Sequence, residues 1–209
     1  MITDVAEKES MPKYLFTLNF TDFVVWKGIM GFILILGGIS YLGFANFLLF
    51  HSIVELICIS IGIIIMIIAI NMYPYGVPLG ILILGLSYGC ITIFDGLHVL
   101  SYKGMGVIES NGANLPTQFW IIARYMESLS TLAAMLLFKK RINFKWIKSL
   151  YLASSLLLIF AVFHWGIFPN CFIEGVGLTP FKITSEYFIS GILLAFLLLW
   201  GSNLLFPLK

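Results

Sequence analysis

Charge is what this sequence lacks. Only 11% of its 209 residues are Asp, Glu, Lys or Arg, while 60% are hydrophobic and the mean hydropathy is +1.03. A soluble globular chain is nearer ~25% charged, so the composition indicates an integral membrane protein. The net charge of +2 is too small to point to nucleic acid as a partner. Cysteine is scarce as well. Cys58 and Cys90 lie inside apolar runs, Cys171 lies in a loop segment, and no CxxC occurs. Neither a disulfide framework nor a zinc knuckle is indicated. HExxH, a nucleophile elbow, a phosphate loop and CxxCH are all missing, so the usual enzyme signatures are weak here. The residues before Asp22 are mixed in charge, with no small-residue cleavage site after a short apolar core. The first membrane helix is therefore expected to act as the insertion signal. No internal repeat and no second domain are evident.

What the chain has in abundance is long apolar stretches, each near the ~20 residues that cross a hydrocarbon core. They predict an all-α, polytopic membrane bundle of six helices: Phe23–Leu42, Phe47–Met72, Leu79–Ser101, Thr117–Phe138, Ser149–Gly166 and Ser185–Phe206. Residues 1–22 read as a cytoplasmic or interfacial tail and 23–209 as one membrane domain. YPYGVP (Tyr73–Pro78) is a Pro/Gly turn, Tyr102–Pro116 a polar loop, Lys139–Lys148 a basic connector, and Ile167–Thr184 a longer loop. The aromatic content of 16% fits interfacial belts.

Lys and Arg in and beside short loops set the orientation. With the N-terminus inside, the inner side receives nine basic residues (Lys8, Lys13, Lys27, Lys139, Lys140, Arg141, Lys145, Lys148 and Lys209). The outer side receives two, Lys103 and Lys182, with Arg124 inside a helix left uncounted. Both termini are expected in the cytoplasm, in a multi-pass protein of the cell membrane.

In that orientation the intramembrane polar residues gather at one depth. His51 and Glu55 begin helix two, Asp95 and His98 end helix three, Arg124 and Glu127 occupy the first half of helix four, His164 ends helix five and Glu186 begins helix six. At about 1.5 Å of rise per residue all fall in the outer leaflet or at its edge. His51/Glu55 are spaced i,i+4, and Asp95/His98 and Arg124/Glu127 i,i+3, so each pair shares a helical face. Buried charges need partners or cost several kcal/mol each, roughly 3 or more. Blander roles stand beside the functional ones: a structural clamp for Arg124 and Glu127, an interfacial place for His164 beside Trp165, a helix-start carboxylate for Glu186, and solvated lysines at 103 and 182.

The expected ligand-binding set is thus His51, Glu55, Asp95, His98, Arg124, Glu127 and His164: His51, Glu55, Asp95, His98 and Glu127 point into one pocket, Arg124 and His164 stand near its edge, and His51, Glu55, Asp95 and His98 are the candidate metal ligands. Histidines with carboxylates suit a divalent metal. Two histidines from different helices also suit a haem, and Arg124 suits an anionic group. The residues leave these alternatives open, and with them a metal- or haem-dependent membrane redox protein or enzyme. A small transporter is a further alternative, disfavoured by the nearly charge-free inner halves and the missing inverted repeat.

Four segments, FHSIVEL (Phe50–Leu56), FDGLHVLSYKGMGV (Phe94–Val107), ANLPTQFWIIARYMESLS (Ala113–Ser130) and FPNCFIEGVGLTPFKITSEY (Phe168–Tyr187), occur in order. Together they resemble the third type of bacterial membrane-associated sensor domain, over roughly Phe47 to Tyr187. The resemblance implies a non-catalytic signal-input domain of the kind that precedes histidine kinases and diguanylate cyclases. It carries over no cofactor. Such domains continue into a cytoplasmic signalling module, whereas this sequence stops at Lys209. It is expected to be either an excised sensor domain or a stand-alone protein that signals through a partner. The expected partners are the lipid bilayer, a signalling module in cis or in a separate protein, and a second copy in a homodimer.

Overall fold

A computed structural model describes residues 13–109, 112–140 and 143–205. The expected tail up to residue 12, Arg141 and the chain from Phe206 onward lie outside the described residues. Six helices carry the fold: α1 (Lys13–Ala45), α2 (Phe47–Met72), α3 (Leu79–Leu100), α4 (Asn114–Leu136), α5 (Phe144–Phe163) and α6 (Pro180–Leu205). A short hairpin of β1 (Phe172–Ile173) and β2 (Gly177–Leu178) links α5 to α6. Among the described residues, five helices are long and apolar enough to cross a membrane. The exception is α4, which matches them in length but carries Gln118, Arg124 and Glu127. The all-α membrane bundle expected from the apolar runs is the architecture found.

The chain forms two compact units, residues 1–50 and 51–209. The first holds α1 and the opening turn of α2. No proline or glycine interrupts residues 13–27, and the helix accordingly starts at Lys13 rather than Phe23. Its large apolar side chains, such as Trp26, Phe32 and Leu34, are exposed, and a helix apolar all round is what lipid requires. Asn46 then caps α2: its Oδ1 accepts from the Leu49 amide at 3.0 Å, satisfying one of the donors a helix start leaves open.

The second unit is built around α3, the most buried of the apolar helices. Small residues let α2 approach it. A Cβ added at Gly85 would stand 2.1 Å from Ala69 Cβ, and one at Gly89 2.3 Å from Met66 Sδ. Gly62 meets Thr92 in the same way. The partners advance along α2 as they retreat along α3, so the two helices run antiparallel. Close backbone approach through small residues is how membrane helices gain van der Waals contact where lipid removes the hydrophobic drive.

On its other side α3 meets α4. Phe94 and Phe119 are completely buried with Ile91, Ile122 and Ala123. Toward the other end, Leu79, Ile83 and Leu86 pack on Ala134 of α4 and Ile147 of α5. Helix α6 lies on α4 through Ile189, Ile121 and the loop residue Cys171. With neighbours on two sides, α4 can hold polar residues that lipid would not accept.

Helix starts differ from expectation where caps were overlooked. Helix α5 begins at Phe144, inside the stretch read as a connector, because Asn143 Oδ1 accepts from the Lys145 amide at 3.0 Å. Helix α6 begins at Pro180, not Ser185. Thr179 Oγ1 accepts from the Lys182 amide at 3.3 Å, and proline suits the first helical position because it has no N–H to satisfy.

Candidate functional site

The polar residues divide into two adjoining networks at the end of the second unit where α2 and α4 begin and α3 ends. In the first, the side chains of His51 and Glu55 on α2 and His98 on α3 each place a potential ligand atom within 4.8 Å of the others. The two imidazoles meet edge to face with ring centres 5.3 Å apart. Tyr102 closes the group, its ring 4.3 Å from that of His51 and 5.8 Å from that of His98. His98 is 6% exposed, and its Nδ1 lies 2.8 Å from the Pro116 carbonyl oxygen of α4. A carbonyl can only accept, so Nδ1 carries the hydrogen in this contact. In the neutral ring that leaves Nε2 with its lone pair. The Pro116 carbonyl therefore fixes both the tautomer and the orientation of His98.

The second network starts one helical turn earlier on α3. Asp95, 4% exposed, is not a fourth member of the His51–Glu55–His98 group. It accepts from Arg124 Nη2 through both oxygens, at 3.1 and 3.3 Å. Arg124 Nη1 donates to Glu127 Oε2 at 2.6 Å, and Tyr88 reaches Glu127 Oε1 at 3.5 Å. The guanidinium also lies 5.9 Å from the centre of the Trp120 ring, and Lys182 of α6 stands 4.6 Å from the same ring. Lys182 pairs with Glu186. One aromatic between two cations ties α4 to α6.

Two expectations are corrected here. Lys182 is not solvated: it is 8% exposed, its ammonium set over the Trp120 ring and paired with Glu186. Nor does Glu186 cap α6, since the helix starts six residues earlier and the carboxylate serves Lys182 instead. His164 sits exposed at the end of α5 with its ring edge-on to Phe160. Among the described residues it has no hydrogen bond or ion pair to either network.

Residues that had no assigned role hold the loops over this end. Asn114 Oδ1 accepts from the amides of Cys171 and Phe172 at 2.8 and 3.1 Å, and its Nδ2 donates to Asn170. Gln118 Nε2 donates to the Phe168 and Pro169 carbonyls, both at 3.1 Å. Glu174, at the hairpin turn, accepts from the Ala113 amide at 3.0 Å. The run N-L-P-T-Q at the start of α4 was the available signal: its amide side chains serve backbone groups of the loop before α6 rather than those of their own helix. Within this loop burial pushes the Cys171 thiol up to about 11, against an opposing pull from Lys182.

A cavity of about 690 Å³ lies elsewhere, among α3, α4 and α5. Its walls are Ile, Leu, Met and aromatic side chains with the hydroxyls of Ser130, Tyr151 and Ser154, and they include no imidazole or carboxylate. The imidazoles and carboxylates of the two polar networks lie outside this hollow.

These features define a multi-pass membrane helix bundle with ionisable side chains buried between its helices. Residues 42–205 match the membrane-associated sensor domain family MASE3, and the chain belongs to that family. No curated protein and no solved structure matches it.

Proposed function

We propose that this chain is the signal-input domain of a bacterial membrane signalling protein, and that its stimulus acts at the His51–Glu55–His98 group. Membership of a membrane sensor family supports the first part. One observation carries the second: contacts run without a break from α2 to α6. His51 and Glu55 face His98, His98 is tied to Pro116 of α4, Asp95 is tied to Arg124, and Arg124 shares Trp120 with Lys182 of α6. A change in how α2 meets α3 therefore bears on the last helix.

The lysine and arginine bias supports cytoplasmic termini, which would put the site in the outer leaflet and the end of α6 beside the cytoplasm. There a signalling module in cis, or a partner protein, would read the packing of α6, in a homodimer or alone. A stimulus can shift such an equilibrium only by its differential affinity for the two packings. The His/carboxylate group gives it that handle, because donors from two helices must converge to hold one ligand.

A chimera joining this chain to a cytoplasmic diguanylate cyclase tests the proposal. His98→Ala and Arg124→Met are expected to change cyclic dinucleotide output several-fold in membranes, while lipid-facing Leu157→Ala leaves it unchanged. Output indifferent to both site variants, at equal protein level, would overturn the sensory reading.

A further inference from the structure

We infer that His51, Glu55 and His98 form a binding site for a divalent first-row transition-metal ion of the zinc class, and that the ion draws α2 and α3 together at this end. Three observations converge on it. The donor set is two imidazoles and one carboxylate, contributed by two helices, with all ligand atoms within 4.8 Å of one another. Nitrogen-rich sets of this kind suit zinc, cobalt, nickel or ferrous iron, whereas magnesium and calcium prefer oxygen alone. Three protein ligands leave a further position for water or another small ligand.

The second observation is the bond from His98 Nδ1 to the Pro116 carbonyl at 2.8 Å. It leaves Nε2 as the ligating atom and orients the ring, the service that outer hydrogen bonds give metal-binding histidines. The third is the engagement of Asp95. With both its oxygens on Arg124, it is committed to charge compensation and is not a fourth ligand. A haem fits less well, because the two imidazoles are in edge-to-face contact and leave no slot for a macrocycle between them.

Metal–ligand bonds near ~2.1 Å put donors roughly 3.4 Å apart around a tetrahedral ion. Donors now spread over as much as 4.8 Å must therefore close by up to ~1.4 Å. The glycine contacts of α2 with α3 at Gly62, Gly85 and Gly89 lie away from the histidine end, later than Glu55 on α2 and earlier than His98 on α3. Closure at the histidine end thus becomes a tilt about that seam. Metal occupancy is the sensed state only if the sensory reading above holds, while binding itself stands apart from that reading.

The test is a titration of the purified, chelator-treated full chain in detergent with Co²⁺ and with Zn²⁺. It follows cobalt ligand-field absorption and the metal content after gel filtration. The expected result is one ion per chain. Affinity should fall at least about tenfold in His51→Ala, Glu55→Gln and His98→Ala, and stay within about twofold of wild type in Asp95→Asn. Wild-type protein that takes up no stoichiometric ion would overturn the site even if a variant failed to fold. So would binding that survives all three ligand substitutions, or loss of binding in a folded Asp95→Asn. A metal-free result together with a site-sensitive chimera would remove the metal and leave the sensory reading standing.

Discussion

Arg124 meets Asp95 with one nitrogen, Nη2, set 3.1 Å from Oδ1 and 3.3 Å from Oδ2, and so fastens α4 to α3. The same guanidinium holds Glu127 at 2.6 Å. Removing it leaves a nearly inaccessible carboxylate without a countercharge, which costs about 3–5 kcal/mol when the partner cannot adapt. Arg124→Met is therefore expected to destabilise the detergent-solubilised protein by an amount of that order. Asp95→Asn should do so less, and Asp95→Leu combined with Arg124→Met should recover most of the loss. Unfolding in mixed micelles measures all three. A double variant no more stable than Arg124→Met would mean that the pair is not a compensating unit.

The seam between α2 and α3 gives a second expectation. A side chain at Gly85 would run into Ala69, whereas one at Gly96, on the same helix, has nothing within 4 Å. Gly85→Leu should cost roughly 1–3 kcal/mol through overpacking. Gly96→Ala should be neutral or slightly stabilising, since alanine is the better helix former. Melting temperatures of the two variants, compared with wild type, decide it.

Much of this was legible in the sequence, and the rest was not for identifiable reasons. The number of helices and the turn at YPYGVP follow from apolar run length and from Pro/Gly punctuation. The tight positive-φ turn at Gly76 is where that punctuation put it. Helix starts failed where a polar cap hid in a segment read as loop, as at Asn143 and Thr179. The shared depth of His51, Asp95 and Arg124 was readable from spacing along each helix. Their division into a histidine group and an arginine group was not, because it depends on how each helix is rotated about its axis. A three-residue step from Asp95 to His98 gives a common face, but within that face the two side chains look toward different neighbours, α4 and α2.

Cys171 offers a test by pH. Burial raises its thiol from the ordinary 9.0 to about 11, so the fold favours the neutral form. The stability it contributes is whole below pH 9 and is lost as pH rises toward 11. The thiolate is the reactive species. Maleimide at pH 8 should therefore label Cys171 in the native protein far more slowly than after denaturation. Peptide mapping of the alkylated protein reads the difference, and equal rates would show an accessible, ordinary thiol.

Sidedness is tested by single cysteines in a background without native ones. Val107→Cys, exposed in the α3–α4 loop, should react with an impermeant maleimide added outside intact cells. Asn143→Cys should react only after the membrane is opened. The reverse pattern would move the polar site to the inner leaflet.

The central claim is that the state of the His51–Glu55–His98 group is felt at the far end of α6. Spin labels at Tyr75 and Ser202, both exposed, report that directly through their distance distribution in lipid nanodiscs, with Cys58, Cys90 and Cys171 replaced. Zn²⁺ at one equivalent is predicted to shift the distribution in this protein and not in its His98→Ala variant. An unchanged distribution in protein shown to hold the ion would contradict the account.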